Sequence, residues 1–231
     1  MGTPFPFGKK RNIDLISIIA LCELMSVGEK AKPLLISCGA LKEEIDKLVE
    51  DGSLDAELIF LDMTLHNDYN VLERKLKLTI EESLQNFPRR IVLIYGDLCL
   101  GRGKEMKKLA DNYHVVKVDA LNCIDCLLGG KGKILEIDPE QVYFFLNPGM
   151  IKVWNRFKLA RCKAEYKDEF RKMFSDLRGI ILLDSVGDLD SSKEEIEEFS
   201  SYTGLPILER KNVGLENLRE VISEAIKRLK D

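Results

Sequence analysis

Apolar residues occur along this chain in two ways, as short continuous runs and as longer segments in which they recur every three or four positions. The continuous runs predict seven β-strands, at Pro33–Ser37, Glu57–Leu61, Arg90–Tyr95, Val115–Val118, Val142–Leu146, Gly179–Asp184 and Pro206–Leu208. Such runs are typical of parallel strands that are buried on both faces, because a half-exposed strand alternates apolar and polar residues. The pattern predicts an α/β fold with a doubly wound, Rossmann-like, mostly parallel sheet of about seven strands and helices on both faces.

Segments with helical periodicity lie between the predicted strands. They are Leu41–Val49, Val71–Asn86, Lys104–Asp111, Met150–Phe174, Ser192–Ser200 and Leu215–Leu229. Residues 1–32 are predicted to form an N-terminal arm and an amphipathic helix, and residues 33–231 a single α/β domain. A glycine-rich stretch places a shallow boundary near residues 129–140, where two sub-lobes of this domain would meet.

The net charge and the cysteine content argue against several classes of protein. The formal net charge of -4 provides no basic field, so nucleic acid is not expected as a partner. The apolar run near the N terminus is interrupted by Asp14 and Glu23 and is too short to span a bilayer, which argues against a signal peptide and a membrane partner. Six cysteines in 231 residues are too sparse for a disulfide scaffold. We therefore expect a cytoplasmic protein with free thiols.

Four of the cysteines follow predicted strands. Cys38 comes after the first strand and Cys99 after the third. Cys123 and Cys126 follow the fourth strand as a C-x-x-C pair at the start of a helical run, where first-turn N–H groups would favour the thiolate form. Because the carboxyl ends of parallel strands share one edge of a sheet, we expect these thiols to converge there. Four thiolates suit zinc or an iron–sulfur cluster, so these cysteines are the predicted metal ligands.

Other polar residues and one glycine follow the same strand ends. His66 is a candidate acid or base, or a metal ligand, and Asp97 is a candidate catalytic group. Asp97 and Asn122 would also orient the metal ligands. Gly39, Asn122 and Asn147 are the candidate cofactor-binding residues. If three thiolates bind the metal and water takes the fourth position, that position is open to substrate.

Two glycine-rich loops leave a phosphate-binding alternative open. The loop Gly96–Gly103 and the stretch Gly129–Lys133 both lack the residue order of a P-loop, but a glycine-rich loop at a helix start can bind an anion. The remaining cysteines, Cys22 and Cys162, lie within predicted helical runs and are predicted to be small packing residues.

Several strings of residues together resemble one family. They are Cys38-Gly39-Ala40-Leu41, Leu65-His66-Asn67, Tyr95-Gly96-Asp97-Leu98-Cys99-Leu100-Gly101, Asn122-Cys123-Ile124-Asp125-Cys126-Leu127-Leu128-Gly129-Gly130 and Phe144-Phe145-Leu146-Asn147-Pro148-Gly149. They resemble the uncharacterised domain-of-unknown-function 1638 family of methyl-metabolising archaea and bacteria, whose members are often encoded near corrinoid methyltransferase components. The resemblance runs from Leu34 to the C terminus. It implies a role in corrinoid-linked one-carbon metabolism, with a corrinoid among the candidate cofactors and a corrinoid methyltransferase component as a partner.

Two positions depart from the pattern of that family. Leu98 intervenes before Cys99, and Cys126 stands where many relatives have methionine or another apolar residue. Cys38, Cys99 and Cys123 are therefore the firmer ligands, and Cys126 is a fourth ligand or a redox partner.

The leading hypothesis is a cytoplasmic metalloprotein with a cysteine-thiolate site, zinc or iron–sulfur, at the carboxyl edge of the sheet. It would act on a small molecule in one-carbon metabolism, as a metal-dependent methyl-transfer or lyase-type enzyme. Two alternatives stay open. One is a non-catalytic carrier or assembly factor for a metal or corrinoid, and the other is a metal-free dithiol protein that cycles a Cys123–Cys126 disulfide.

Overall fold

The structure, a computed structural model, describes residues 32–161 and 167–230, with side chains outside 155–161 and 230. The chain divides into two units, Met1–Lys32 and Pro33–Asp231, and the fold described below is that of the second. The predicted N-terminal arm and helix lie outside the described residues, and so do Cys22 and Cys162. None of the helices in the described ranges is long and apolar enough to cross a membrane.

Seven strands alternate with helices, which confirms the predicted α/β class. The strands are β1 (Leu34–Cys38), β2 (Glu57–Leu61), β3 (Ile91–Ile94), β4 (Val116–Lys117), β5 (Tyr143–Leu146), β6 (Gly179–Asp184) and β7 (Ile207–Asn212). Every strand pair is parallel, as predicted. In the described residues, hydrogen bonding divides the strands into a four-stranded sheet, in the order β2-β1-β3-β4, and a three-stranded sheet, in the order β5-β6-β7.

Nine α-helices connect the strands within the described ranges. They are α1 (Lys42–Glu50), α2 (Tyr69–Leu84), α3 (Glu105–Tyr113), α4 (Cys123–Leu128), α5 (Lys133–Ile137), α6 (Pro148–Arg161), α7 (Lys167–Met173), α8 (Lys193–Thr203) and α9 (Glu216–Lys227). Short 3-10 turns follow the first three strands, at Gly39–Leu41, Met63–Asn67 and Asp97–Leu100. These turns carry the chain from the sheet edge into the next helix and hold much of the candidate site.

Burial explains which strands the apolar pattern predicts well. Every residue of β1, β3 and β6 is buried, and these strands are apolar except for Ser37 in β1 and Gly179 and Asp184 in β6. The edge strand β7 is almost entirely exposed and includes Glu209, Arg210 and Lys211, charges that are common on unpaired sheet edges. The sequence predicted only Pro206–Leu208 there, because pairing with β6 extends the strand into polar residues.

The four-stranded sheet is covered on both faces. Alternate residues of β1 point in opposite directions, so Leu35 belongs to one core while Leu34 and Ile36 belong to the other. Two residues, Cys123 and Met150, pack against both cores. Cys123 therefore lies at the rim of the sheet, where the two faces meet.

Candidate thiol site

The four predicted cysteine ligands lie at the carboxyl edge of the four-stranded sheet. Cys38 is the last residue of β1, and Cys99 lies in the 3-10 turn after β3. Cys123 begins α4, and Cys126 lies on its next turn. All four are free; Cys38, Cys99 and Cys126 are buried, and Cys123 is half-buried.

The thiols lie near enough to influence one another. Burial raises the pKa of Cys123 most, and the neighbouring thiols of Cys38, Cys99 and Cys126 raise it further. Burial raises the pKa of Cys38 to about 12, against a hydrogen bond from the Ala40 amide, and the Cys99 thiol adds to the increase. Burial likewise raises the pKa of Cys99 to about 11 and is the main cause of the increase at Cys126. The structure thus brings together the sulfurs of three different strand ends.

One expectation about these thiols was wrong. The start of the helix was predicted to favour thiolate at Cys123 and Cys126, but burial dominates and raises the pKa of both. Helix α4 has only six residues, and the Asn122 side chain caps it by accepting a hydrogen bond from the Asp125 amide at 2.8 Å. Burial therefore outweighs the amide hydrogen bonds at these thiols and favours their neutral form.

His66 joins the thiols from the 3-10 turn after β2. Its Nδ1 lies 3.9 Å from the Cys38 sulfur and 3.2 Å from the Met63 carbonyl oxygen. A carbonyl oxygen can only accept a hydrogen bond, so the contact with Met63 favours the tautomer with the proton on Nδ1 and the lone pair on Nε2. Burial lowers the pKa of His66, and the hydrogen bond to Met63 opposes this shift only in part. The lowered pKa favours the neutral ring, which is the form in which imidazole binds metals.

Tyr95 is a member of the site that sequence reasoning missed. It follows β3, is 1% exposed, and stacks on His66 with ring centres 6.0 Å apart. Its hydroxyl has no hydrogen-bond partner in the described part of the chain. Burial raises its pKa well above the ordinary value, and the thiols of Cys38, Cys99 and Cys123 contribute to that increase. A buried unpaired hydroxyl costs about 1–3 kcal/mol, which makes this atom a candidate hydrogen-bond donor for a bound group.

The candidate metal ligands lie in one region, but their side chains do not point at a common metal position. In residues 32–161 and 167–230, no three His, Cys, Asp or Glu side chains are placed to hold a single metal ion. The candidate ligand atoms are cysteine sulfurs and one imidazole nitrogen, which are the ligand types of zinc and iron–sulfur sites. Side-chain rotation would have to complete any coordination sphere, since these side chains have several staggered rotamers.

Asp97 and Gly39 have contacts with the neighbouring strands. The Asp97 carboxylate, 40% exposed, pairs with the Lys117 ammonium at 3.0 Å and so ties the Cys99 turn to β4. A Cβ added to Gly39 would lie 3.1 Å from the Leu61 carbonyl oxygen, so a glycine lets the Cys38 turn lie closely against the end of β2.

The two predicted asparagines hold the chain that carries the thiols. Asn122 caps α4 as described, through its side-chain oxygen. Asn147 is fully buried, and its Nδ2 donates to the Ala40 carbonyl at 2.8 Å and to Glu44 Oε1 at 2.7 Å. These bonds use polar atoms that a cofactor would otherwise contact, and they fix the turns next to Cys38 and Cys123.

Carboxylates of the protein bond to the amides of both glycine-rich loops. The buried Asp125 carboxylate accepts hydrogen bonds from the amides of Leu121, Gly132 and Ile134 at 2.8, 2.9 and 2.9 Å. In the other loop, Glu105 Oε2 accepts from the Gly103 amide at 2.8 Å. Because internal anions already engage these loops, the arrangement disfavours the phosphate-binding alternative.

A groove of about 260 Å³ lies next to the chain segments that carry Cys99 and Cys123. Leu98, which precedes Cys99, lines it together with Asn122 and Ile124, which flank Cys123. The other walls are largely apolar or aromatic. The residues that flank Cys123 therefore border an apolar surface, and no thiol of the described residues is among those that line it.

Comparisons with known proteins give one strong match and two weak ones. The C subunit of the A-type ATP synthase of Methanosphaera stadtmanae is 25% identical over 173 residues, covering 71% of this chain and 43% of that protein. The chain thus spans less than half the length of this curated relative. A solved ferulic acid esterase aligns over 90% of this chain and 89% of its own, with 11% identity and a TM-score of 0.25, which is too low to carry an argument. The family model described as protein of unknown function (DUF1638) matches residues 60–222, well over half of the chain. The chain therefore belongs to the DUF1638 family, as its cysteine motifs predicted.

Proposed function

We propose that this protein is a metalloprotein in which Cys38, Cys99 and Cys123 bind zinc or an iron–sulfur cluster. The observation that supports this most is the convergence of thiols from three strand ends around a buried, unpartnered tyrosine hydroxyl. Cys126 or His66 would supply a fourth ligand. The remaining position, if water occupies it, would be the place for substrate.

Electrostatics favour a cation at this place. Four neutral thiols packed together each resist ionisation, because a thiolate there would be buried and close to other sulfurs. A bound divalent cation reverses this balance, since it deprotonates coordinating thiols outright. The cluster is therefore a poor site for a free thiolate and a suitable site for a thiolate bound to a metal.

The neighbouring side chains have separate roles in this proposal. The Tyr95 hydroxyl would donate a hydrogen bond to a ligand sulfur or to the molecule bound there, which would satisfy the only polar atom of that side chain. His66 would act through Nε2, as a ligand or as an acid or base. A bound metal would supply Lewis acidity or an activated thiolate. The apolar groove beside Cys123 would hold the apolar part of a small-molecule substrate.

The proposed metabolic setting depends on the family resemblance alone. We propose a cytoplasmic role in corrinoid-linked one-carbon metabolism, as a methyl-transfer or lyase-type enzyme with a corrinoid methyltransferase component as partner. A carrier or assembly factor for metal or corrinoid would have the same site without turnover. A metal-free dithiol cycle is less consistent with the raised pKa of Cys123 and Cys126, because disulfide exchange requires an attacking thiolate.

Spectroscopy of protein purified without oxygen tests the proposal. An iron–sulfur cluster would give visible absorption, and a zinc protein reloaded with cobalt(II) would give thiolate-to-cobalt bands. We expect such bands in the wild type, their loss in Cys123→Ser, and their retention in the control Cys162→Ser. A wild-type protein that binds neither metal, and shows a reversible Cys123–Cys126 disulfide, would favour the dithiol protein instead.

A further inference from the structure

Glu44 is a fully buried carboxyl group where three parts of the fold meet. It lies on α1, and its Oε1 accepts hydrogen bonds from Asn147 Nδ2 at the end of β5 and from Ser185 Oγ after β6, at 2.7 and 2.8 Å. Its second oxygen, Oε2, has no hydrogen-bond partner within the described ranges. The carboxyl group thus connects the strand ends of the three-stranded sheet to the helix that follows the Cys38 turn.

A short series of contacts links this carboxyl group to a thiol. Asn147 Nδ2 donates to the Ala40 carbonyl as well as to Glu44, and the Ala40 amide donates to the Cys38 sulfur at 3.4 Å. Gly149 packs against the same turn, since a Cβ there would lie 2.2 Å from the Ala40 carbonyl oxygen and 3.3 Å from Glu44 Oε2. Glu44 and Asn147 therefore support the peptide unit next to Cys38.

We propose that Glu44 is a positioning residue, which acts through Asn147 and the Ala40 peptide to hold the Cys38 sulfur in the candidate site. This role is independent of whether the site binds a metal. It concerns the order of the turn Gly39–Leu41, which the free protein already has.

The charges around Glu44 do not offset the effect of burial on the pKa of its carboxyl group. Burial raises its pKa, and the bonds from Ser185 and Asn147 oppose that increase only in part. The neighbouring Glu43 raises it slightly, although Lys152 of α6 pairs with Glu43.

From β6, Asp184 is adjacent to Ser185 and pairs with Arg210 at 2.6 Å. No cation of the described residues forms a salt bridge with Glu44. Ionisation would therefore place an uncompensated charge beside the Ala40 peptide and loosen the turn.

Labelling of metal-free protein with iodoacetamide tests the proposal. The measured quantity is the labelling rate of Cys38 divided by that of Cys99, read by peptide mass spectrometry. In Glu44→Ala we expect this ratio to rise about tenfold, equal to about 1.4 kcal/mol of easier local opening. Glu44→Gln, which keeps a neutral group of the same shape, and Glu50→Gln, an exposed glutamate of the same helix, should stay close to the wild type.

The pH dependence separates positioning from general packing. Labelling through local opening modifies an exposed thiol, whose ordinary pKa is about 8.5 for both cysteines, so both intrinsic rates rise equally with pH below that range and their ratio does not change. We expect the wild-type ratio to rise as Glu44 ionises and the Glu44→Gln ratio to stay flat. An unchanged ratio in Glu44→Ala, an equal rise at every thiol, or the same pH step in Glu44→Gln would overturn the proposal. Because no metal is present, these outcomes are independent of the metal-binding hypothesis.

Discussion

Asp125 provides a direct test of how the C-x-x-C segment is held. Its carboxylate is fully buried between Cys123 and Cys126 and accepts hydrogen bonds from the amides of Leu121, Gly132 and Ile134. Replacement with alanine removes the acceptor of all three amides at once, in a loop whose backbone has no other described partner for them.

The expected loss of stability follows from these three bonds. A hydrogen bond to a charged group contributes about 1.5–3 kcal/mol, and a buried donor without an acceptor costs about 1–3 kcal/mol. Water can reach part of this loop, because Gly132 is not fully buried, so the costs will not add completely. We expect Asp125→Ala to lower the free energy of unfolding by about 3–6 kcal/mol, a large part of the roughly 5–15 kcal/mol typical of a domain.

Urea unfolding followed by circular dichroism measures this loss, with m-values compared to confirm that the same surface unfolds. Asp119→Asn is the matched control, because Asp119 is an exposed aspartate close in sequence, and its side chain should matter little. A loss below about 1 kcal/mol in Asp125→Ala would show that the loop amides find other partners and would refute the reasoning.

Three further predictions concern the site. Tyr95→Phe should stabilise the metal-free protein by about 1 kcal/mol in urea unfolding, because it removes an unpaired buried hydroxyl; destabilisation would reveal a hidden partner. Burial raises the folded-state pKa of Glu44 above the ordinary 4.5. The free energy that its neutral carboxyl group contributes to stability is therefore complete below about pH 4.5 and is lost as the pH rises through the folded-state pKa. Relative to Glu44→Gln, the wild type should lose about 1.4 kcal/mol per pH unit between about pH 5 and the folded-state pKa, and parallel curves would contradict this. Zinc binding near neutral pH should release about three protons if Cys38, Cys99 and Cys123 all ionise. Calorimetry in buffers of different ionisation enthalpy measures this number, and release of less than one proton would contradict thiolate ligation.

The parts of the fold that were predictable from sequence are those with a strong local pattern. Strands β1 and β3 are buried on both faces and therefore read as continuous apolar runs. Helix α5 was not predicted, because it has only five residues, and the bond from its Ile134 amide to Asp125 is invisible in the local sequence. The division into two sheets also depends on strand pairing, which the apolar runs do not specify.

In the site, residue positions were predictable and protonation was not. Counting from the strand ends placed Cys38, Cys99 and Cys123 at one edge, but their pKa values depend on burial and on one another. The apolar pattern assigns Tyr95 to the end of a strand. Its hydroxyl group, at the strand end next to Cys99, was a signal that this residue belongs to the site. Glu44 falls in helical register with the apolar Leu41, Ile45 and Leu48, so a carboxyl group on the buried face was readable from the sequence.

The most direct test of the central claim is the metal content of the protein, purified without oxygen and compared with Cys38→Ser, Cys99→Ser and Cys123→Ser variants. Elemental analysis would be combined with acid-labile sulfide, which distinguishes an iron–sulfur cluster from zinc. We predict one tightly held zinc ion or one cluster per chain in the wild type and loss of that metal in each variant, with the fold retained by circular dichroism. A wild-type protein without metal, which also fails to bind zinc or a reconstituted cluster when these are supplied, would contradict the claim.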